Sequence, residues 1–214
     1  FLKVNPAATV PVLLHNAHPV YESHEQLNYV ASVVDQTGLL VPQDAQLRQV
    51  MDAWVHKTSL LGDDPIDSPE ATAGNAVPGL TVPIFAAMLA SIPTAKIVEG
   101  LLFHRIKKRA LLFLLMKRRG LQKTLTLKPV AGVLNRSAKA MTAHLHELEL
   151  QLESSGGPWI CGDQFTLADV GMMVIFDRLR EGDWLHLLVH HRPALDAYWT
   201  ALQQRPSYQA GCAD

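Results

Sequence analysis

The stretch VPVLLHNAHPVYES, Val10 to Ser23, places a proline at the head of an apolar run and an acid–serine pair after it. The run from Val10 to Leu14 is aliphatic and short, which predicts a β-strand. Asn16 to Pro19 has the composition of a turn, and Val20–Tyr21 then predicts a second strand that returns antiparallel to the first. The stretch therefore predicts a β-hairpin that leads directly into a helix.

Pro11 has no backbone N–H to donate to a sheet, so it leaves the neighbouring backbone available for another partner. If the Val10–Pro11 bond is cis, we expect the backbone of Val10 to point out of the sheet edge. An extended peptide could pair with it there as an added strand. The alternative is that Pro11 only begins the strand.

Ser23 and Gln26 have the spacing of a capping box, which predicts Ser23 as the N-cap of a helix from His24 to about Val34. The N–H groups at a helix start suit a carboxylate, whereas the Glu22 carboxylate suits an ammonium group. Together with Val10, these groups complement a short peptide with a free amino-acid head. The alternative is that Ser23 only caps its helix, because capping boxes are common.

The composition indicates an ordinary globular protein. The chain has 214 residues, of which 48% are hydrophobic and 18% charged, enough for one large domain or two smaller ones. The formal net charge of -1 argues against a dedicated nucleic-acid-binding protein. The cysteines, Cys161 and Cys212, match no metal or redox spacing, which predicts reduced thiols in a cytoplasmic protein. The histidines do not complete a usual metal site, so no metal is predicted.

The chain after residue 43 predicts an all-helical body. Asp44 is a candidate N-cap, and Met51, Trp54 and Val55 share one face of the helix that follows it. Residues 62–79 are rich in Asp, Gly and Pro, which predicts an acidic, mobile loop. Further helices are predicted at about 82–119 with an interruption near Pro93, at 134–155, at 166–180 and at 193–204.

The segment FTLADV contains a second capping box, formed by Thr166 and Asp169. A start signal of this kind fixes where a buried helix begins. Asp169 could instead be a catalytic carboxylate, but its capping role already explains why an acid stands at this position.

The middle of the chain is strongly basic. No Asp or Glu occurs between Glu99 and Glu147, and eleven of the nineteen Lys and Arg residues lie there. A basic, apolar helix can lie on an anionic membrane surface or flank an anionic ligand. The alternative, which we favour, is a helix packed by its apolar face, with its cations partly balanced by the preceding acidic loop. No apolar run in this region predicts a membrane-spanning helix.

Two of these motifs resemble a known family. NP-x3-VPVL followed by VYES is similar to the glutathione-binding half of the glutathione S-transferases, and WICGDQFTLADV resembles the signature of their helical domain. The segment from Pro193 to Ser207 resembles their closing helix. The enlarged basic middle is most similar to the ganglioside-induced differentiation-associated branch, some members of which are membrane-attached.

The resemblance implies an α+β fold. Residues 1–36 are expected to form a truncated thioredoxin-like domain, with a two-strand remnant and a helix, and residues 43–214 an all-α C-terminal domain. The N-terminal β-α-β portion of the family's first domain is expected to be missing from this chain.

The resemblance also implies glutathione as co-substrate, bound by Val10, Pro11, Glu22 and Ser23. In the intact protein its thiolate would be conjugated to a hydrophobic electrophile, in a cleft for which we expect an apolar wall. That wall is predicted to consist of Met51, Trp54 and Val55. The catalytic residue is unknown. The family places it after the first strand, which belongs to the N-terminal portion expected to be missing from this chain.

The family usually forms homodimers, which is the expectation for this cytoplasmic protein too. One alternative function is a non-catalytic adaptor that contacts a partner or a membrane surface through residues 101–119. Another is a different thiol-dependent reaction on the same scaffold: reduction, isomerisation or dehalogenation.

Overall fold

The computed structural model describes residues 4–5, 10–34, 37–103 and 107–212, with the side chain of Phe103 excepted. Pro6 of the NP-x3-VPVL motif and Arg105 of the basic middle lie outside these ranges. Within them, a two-stranded sheet is followed by helices, which confirms the predicted α+β class and the all-helical body. The strands are β1 (Leu13–His15) and β2 (His18–Val20). The helices are α1 (Ser23–Tyr29), α2 (Ala45–Thr58), α3 (Ala73–Leu80), α4 (Val82–Ser91), α5 (Thr94–Phe103), α6 (Lys107–Arg119), α7 (Leu121–Leu125), α8 (Lys128–Ser155), α9 (Leu167–Glu181), α10 (Leu185–Leu188), α11 (Pro193–Gln203) and α12 (Pro206–Gly211).

The β-hairpin forms as predicted, but β1 is shorter than expected and β2 begins at His18, inside the predicted turn. β1 and β2 are antiparallel, and Leu13 lies opposite Val20. The two turn residues, Asn16 and Ala17, both have positive φ angles of 49° and 62°, as in the tight turns that join adjacent strands. The Val10–Pro11 bond is cis, which is the condition stated above for a backbone of Val10 that is free of the sheet. The strand itself begins at Leu13, so the prolyl segment precedes the sheet.

Helix α1 packs on the hairpin through the ring of Tyr29. The Tyr29 hydroxyl is 3.0 Å from His15 Nδ1, and its ring stacks on the ring of His18 at 6.0 Å between centroids. A π-helical turn, Val30–Val34, continues α1, and Ala31 within it is buried. These contacts hold the sheet and the first helix together as one unit.

The main core lies between α2, α3, α8, α9 and α11. Asp44 caps α2 as predicted: its carboxylate accepts hydrogen bonds from the N–H groups of Gln46 and Leu47, both at 2.9 Å. The predicted stop after α8 is also present, because Gly156 adopts the left-handed conformation with φ 72°. The fully buried core side chains include Leu80, Met141, Leu145, Leu148, Met172, Phe176, Leu195 and Leu202.

The Asp169 carboxylate is the polar centre of this core. One of its oxygens accepts from the N–H of Ile160 at 3.1 Å and from the Tyr198 hydroxyl at 2.9 Å. The other accepts from the Thr166 N–H at 2.8 Å, so the predicted capping box is present. Burial raises the pKa of Asp169 although these hydrogen bonds act to lower it. The residue therefore joins α9, α11 and the loop before α9, and it faces no open cleft that would suit a catalytic acid.

We expect Asp169→Ala to lower the free energy of unfolding by about 3 kcal/mol, because it leaves several buried donors without an acceptor. Urea unfolding followed by circular dichroism measures this change. Asp163→Ala is the matched control, since Asp163 is exposed in the same loop region. Equal, small effects of the two substitutions would contradict the role given to Asp169.

The prediction of a mobile loop at residues 62–79 is wrong for its second half. Residues 73–79 belong to the buried helix α3, which crosses α8 closely. A Cβ on Gly79 would lie 2.0 Å from Ser137 Oγ, and one on Gly74 would lie 2.3 Å from the Ser59 carbonyl oxygen. Gly79 therefore lets α3 approach α8, and Gly74 lets it approach the residue after α2, where any larger side chain would clash. The same glycines had suggested a loop.

Helices α4 to α7 form a module with its own small core. Val82, Leu89, Ile97 and Met116 are buried together, separately from the main core. The interruption predicted near Pro93 is present between α4 and α5. We refer to residues 82–125 as the basic module.

Several cations of the basic module are bound within the fold. Lys107 Nζ donates to the carbonyls of Leu101 and Leu102, at the C-terminal end of α5. Lys117 Nζ donates to the carbonyls of Leu89 and Ala90 at the end of α4, at 2.9 and 2.8 Å. Such cations stabilise helix C-termini, where carbonyls lack intrahelical partners.

Asp64 balances two further cations, as the sequence predicted for the acidic loop. Its carboxylate lies 2.5 Å from Arg109 and 2.9 Å from Lys108, and its side chain is only 8% exposed. Burial acts to raise the pKa of Asp64, but hydrogen bonds from Lys108 and Arg109 outweigh it and hold the pKa below its ordinary value of 3.8. The carboxylate therefore connects the loop to α6 in its ionised form.

This depressed pKa predicts a pH-dependent contribution to stability. The ionised Asp64 stabilises the fold above pH 3.8, and the contribution is lost as the pH falls through the folded-state pKa. We expect Asp64→Asn to lower the unfolding free energy by about 1–2 kcal/mol near neutral pH, and the difference to shrink in acid. Urea unfolding across a pH series measures it.

Asp67→Asn is the matched control, because Asp67 also pairs with Lys108 but is 63% exposed. Exposed pairs contribute little, so this substitution should cost less than about 1 kcal/mol. A loss for Asp64→Asn that does not change with pH would contradict the assignment.

No single helix in the described ranges has the length and apolar character of a membrane span. Taken together, helices α3 and α4 have the length and apolar composition of a membrane span, but the two helices are bent by 47° from each other.

Candidate functional site

The four residues predicted to bind glutathione lie around the junction of the hairpin and α1. Val10 and Pro11 precede β1, and Glu22 and Ser23 follow β2 at the start of α1. All four are exposed, Val10 to 78%. The antiparallel hairpin brings the two pairs to the same end of the sheet.

Gln26 connects the two halves of this site. Its side-chain nitrogen donates to the carbonyl of Pro11 at 3.1 Å and to those of Val20 and Tyr21 at 2.9 and 3.1 Å. Because one nitrogen contacts both segments, the prolyl segment is held directly beside the start of α1. The Tyr21 hydroxyl adds a bond to the Val4 carbonyl at 3.0 Å.

The predicted capping box at Ser23 is wrong. Glu22 is the N-cap, with extended backbone angles, and its carbonyl accepts the first helical bond from Gln26 N–H at 2.8 Å. Ser23 is thus the first residue of the helix. Instead of completing a capping box, the Gln26 side chain donates through its nitrogen to the three carbonyls.

The Glu22 carboxylate and the Ser23 hydroxyl are open to a ligand. Neither makes a side-chain hydrogen bond or ion pair with another residue in the described part of the chain, and Glu22 does not cap the helix. A carboxylate accepts hydrogen bonds from an ammonium group, and a serine hydroxyl donates to a carboxylate. The pair can therefore hold both charges of an amino-acid group.

The predicted apolar wall lies in the core of the helical body. Met51, Trp54 and Val55 are all buried, and the face of α2 that carries them packs against α9. Of the three, Trp54 also borders a groove of about 450 Å³ between α2 and α8. Lys57 and Glu147 form an ion pair in that groove, with the Lys57 ammonium over the Trp54 ring. Contact of these residues with an acceptor substrate stays a prediction.

Other reactive side chains have structural partners. Cys161 is buried, and burial raises the pKa of its thiol, so it is not an activated nucleophile. His144 is also buried, with Nε2 3.1 Å from the Pro69 carbonyl oxygen. Among the described residues, no group of His, Cys, Asp and Glu is arranged to hold a metal ion.

Comparison with known proteins identifies the architecture. Residues 135–210 match the family model of the glutathione S-transferase C-terminal domain. A glutathione S-transferase from Arabidopsis thaliana, TCHQD, is 24% identical over 213 residues, which cover 98% of this chain and 72% of the relative.

Two solved structures agree with this match. The β-etherase LigF from Sphingobium sp. strain SYK-6 has a TM-score of 0.70 at 20% identity, over 98% of this chain and 80% of the other. A glutathione S-transferase from Methylobacillus flagellatus KT, with GSH bound, has a TM-score of 0.56 at 18% identity, over 98% and 78%. The chain has the glutathione S-transferase fold.

Within this fold, the hairpin and α1 correspond to part of a thioredoxin-like domain, and the helices from α2 onward to the all-helical C-terminal domain. Residues 135–210, which match the family model, lie within that helical part, and the Arabidopsis relative aligns along 98% of the chain. Sequence reasoning missed Gln26 as the residue that joins the two halves of the candidate site. The only signal was a glutamine three residues after Ser23, which has the same spacing as a capping box.

We expect Gln26→Ala to loosen residues 10–22 without unfolding the helical body. The substitution removes the donor shared by three carbonyls, so local opening should become easier by about 1 kcal/mol. Hydrogen exchange of peptides from the hairpin and from α9 measures this separately. Gln49→Ala, on the exposed side of α2, is the control. Unchanged exchange in the hairpin would contradict the bridging role.

Proposed function

We propose that the protein binds glutathione at Val10, Pro11, Glu22 and Ser23, as a glutathione S-transferase-like protein. The observation that carries this proposal is the Gln26 side chain, which holds the cis-prolyl segment beside the start of α1. The residues on both sides of this bridge are exposed. A zwitterionic peptide carries an ammonium group and a carboxylate, and Glu22 suits the first whereas Ser23 suits the second.

Each group has a distinct part in the proposed binding. The Val10 backbone, which pairs with no strand in the described ranges, would pair with the cysteinyl backbone of glutathione. The Glu22 carboxylate would accept from the γ-glutamyl ammonium group. The hydroxyl and backbone N–H of Ser23 would donate to the carboxylate of the same γ-glutamyl end.

The proposed reaction is conjugation of the glutathione thiolate to a hydrophobic electrophile in a cleft next to Met51, Trp54 and Val55. Conjugation requires a group that stabilises the thiolate. We assign that role to no residue: the Tyr21 hydroxyl already donates to Val4, and Ser23 is placed at the γ-glutamyl end. The proposal extends to residues 1–36 and 43–214 as two domains and to a cytoplasmic homodimer, all of which the family resemblance implies.

The test is calorimetric titration of the chain with glutathione. We expect Glu22→Gln combined with Ser23→Ala to weaken binding by at least about tenfold, because charged hydrogen bonds contribute about 1.5–3 kcal/mol each. The control combines Glu25→Gln with Ser32→Ala, an acid and a serine that are also exposed in the same helical segment. Equal weakening by both pairs, or no binding by the unsubstituted chain, would contradict the proposal.

A second candidate function is a non-catalytic adaptor on the same fold, which contacts a partner or a membrane surface through residues 101–119. The observation that favours it is the basic module, because this cationic segment lies away from the glutathione site in sequence and has its own core. A conjugation assay on the full-length protein with 1-chloro-2,4-dinitrobenzene separates the two candidates. Glutathione binding without turnover favours the adaptor, and turnover favours the transferase.

A further inference from the structure

The cations of the basic module fall into two groups. Lys107, Lys108, Arg109 and Lys117 bind carbonyls or Asp64 and Asp67, so they contribute to the fold itself. Arg118 and Arg119, at the end of α6, are exposed and form no hydrogen bond or ion pair with any residue in the described ranges. Lys96 pairs with Glu99, whereas Lys123 in α7 is also exposed and unpaired. Among the described cations of the module, Arg118, Arg119 and Lys123 therefore have their full charge available to an external partner.

The exposed Leu111 lies on the same face of α6 as Arg118, and the exposed Leu102 lies at the end of α5, next to the start of α6. Leu111 is 59% exposed and precedes Arg118 by seven residues, which is two helical turns, so both lie on one face of α6. Lys107 lies one turn before Leu111 on that face, and its Nζ contacts the Leu102 carbonyl. Leu102 is 67% exposed. The strip therefore runs from the end of α5 along α6 to its last turn.

We propose that Leu102, Leu111, Arg118 and Arg119, named here the lipid face, dock on the surface of an anionic lipid bilayer. The two leucines would enter the interfacial region, and the two guanidinium groups would bind lipid phosphates and carboxylates. Charge complementarity selects this partner: Arg118 and Arg119 are unpaired in the described ranges, whereas the carboxylates that contact the module, those of Asp64, Asp67 and Glu99, are each paired with a cation.

A bilayer also fits the shape of this surface better than a deep ligand site would. The leucines project singly from two helices and are not gathered into a pocket, and the cations lie at one end of the strip. Peripheral binding needs such an apolar contact together with a basic contact, because either one alone is weak. The inference does not depend on glutathione binding, which uses residues at the other end of the chain.

The test is co-sedimentation of the whole chain with phosphatidylcholine vesicles, with and without phosphatidylserine, at two salt concentrations. We expect binding only to the anionic vesicles, and weaker binding at high salt. Arg118→Gln with Arg119→Gln should lower the partition coefficient by about 25-fold, since each basic residue near an anionic surface contributes about fivefold.

Arg136→Gln with Lys139→Gln is the charge control. Both residues are exposed on α8, and the pair changes the net charge by the same amount. This control should retain binding to within about twofold if the lipid face carries the contact.

The apolar half has its own matched pair. Leu102→Ser with Leu111→Ser should lower partitioning by at least about tenfold, because two partly inserted side chains lose apolar contact. Leu14→Ser with Leu187→Ser removes two leucines of similar exposure elsewhere, 58% and 54%, and should have little effect. Circular dichroism melting of each variant confirms that the fold is retained.

Three results would overturn the proposal. The first is equal binding to neutral and anionic vesicles, and the second is equal loss in a test pair and its control. The third is a change from dimer to monomer when Leu102 and Leu111 are replaced, measured by light scattering without vesicles, because it would make this face a protein interface. Glutathione affinity measured on the same variants should stay unchanged in every one of these outcomes.

Discussion

The side-chain amide of Gln26 is the interaction on which the candidate site depends. It reaches across from α1 to the carbonyl of Pro11 and also binds those of Val20 and Tyr21. Without this donor, no side-chain hydrogen bond among the described residues would join the prolyl segment to α1. A two-stranded hairpin is marginally stable by itself, so contacts of this kind, with those of Tyr29, fix its position. Val10, Glu22 and Ser23 can contact the same ligand because the Gln26 side chain holds their two segments side by side.

The helical body is organised around a second polar centre, the buried Asp169 carboxylate. Helices α2 and α9 of this body contact α1, the helix that carries Ser23 and Gln26. The segment that links α1 to α2 is fixed on the same body: the Leu167 N–H donates to the Leu40 carbonyl at 3.1 Å, and Gln164 donates to that of Leu39. Arg48 in α2 also donates to the Pro42 carbonyl. The start of α9 therefore fixes the linker, and through it the distance between the site and α2.

Local signals in the sequence were sufficient for much of the fold. The hairpin turn, the Asp44 cap, the Thr166–Asp169 capping box and the stop at Gly156 each depend on a few neighbouring residues, and all are present. Features set by distant contacts were not predictable. Gly74 and Gly79 read as loop residues because nothing in their neighbourhood reveals the close approach of Ser59 and Ser137.

The candidate site was also only partly predictable, because a glutamine at this position can either cap the helix or bind carbonyls of another segment. Gln26 has the spacing of a helix cap, and only the folded hairpin shows that its amide is used to bind other carbonyls. The charge of the basic module was evident in the sequence, but its division between internal and available cations was not. Asp64, Glu99 and the ends of α4 and α5 bind five of them, which leaves Arg118, Arg119 and Lys123 unpaired among the described residues.

The central claim is that one small peptide thiol binds across the Gln26 bridge. Nuclear magnetic resonance of the ¹⁵N-labelled chain during a glutathione titration tests it most directly, because each backbone amide reports separately. The account predicts that saturable shifts appear at Val10, Glu22 and Ser23 while the amides of α8 stay constant. Shifts confined to the groove around Trp54 and Glu147, or no saturable shift at the bridge, would contradict it.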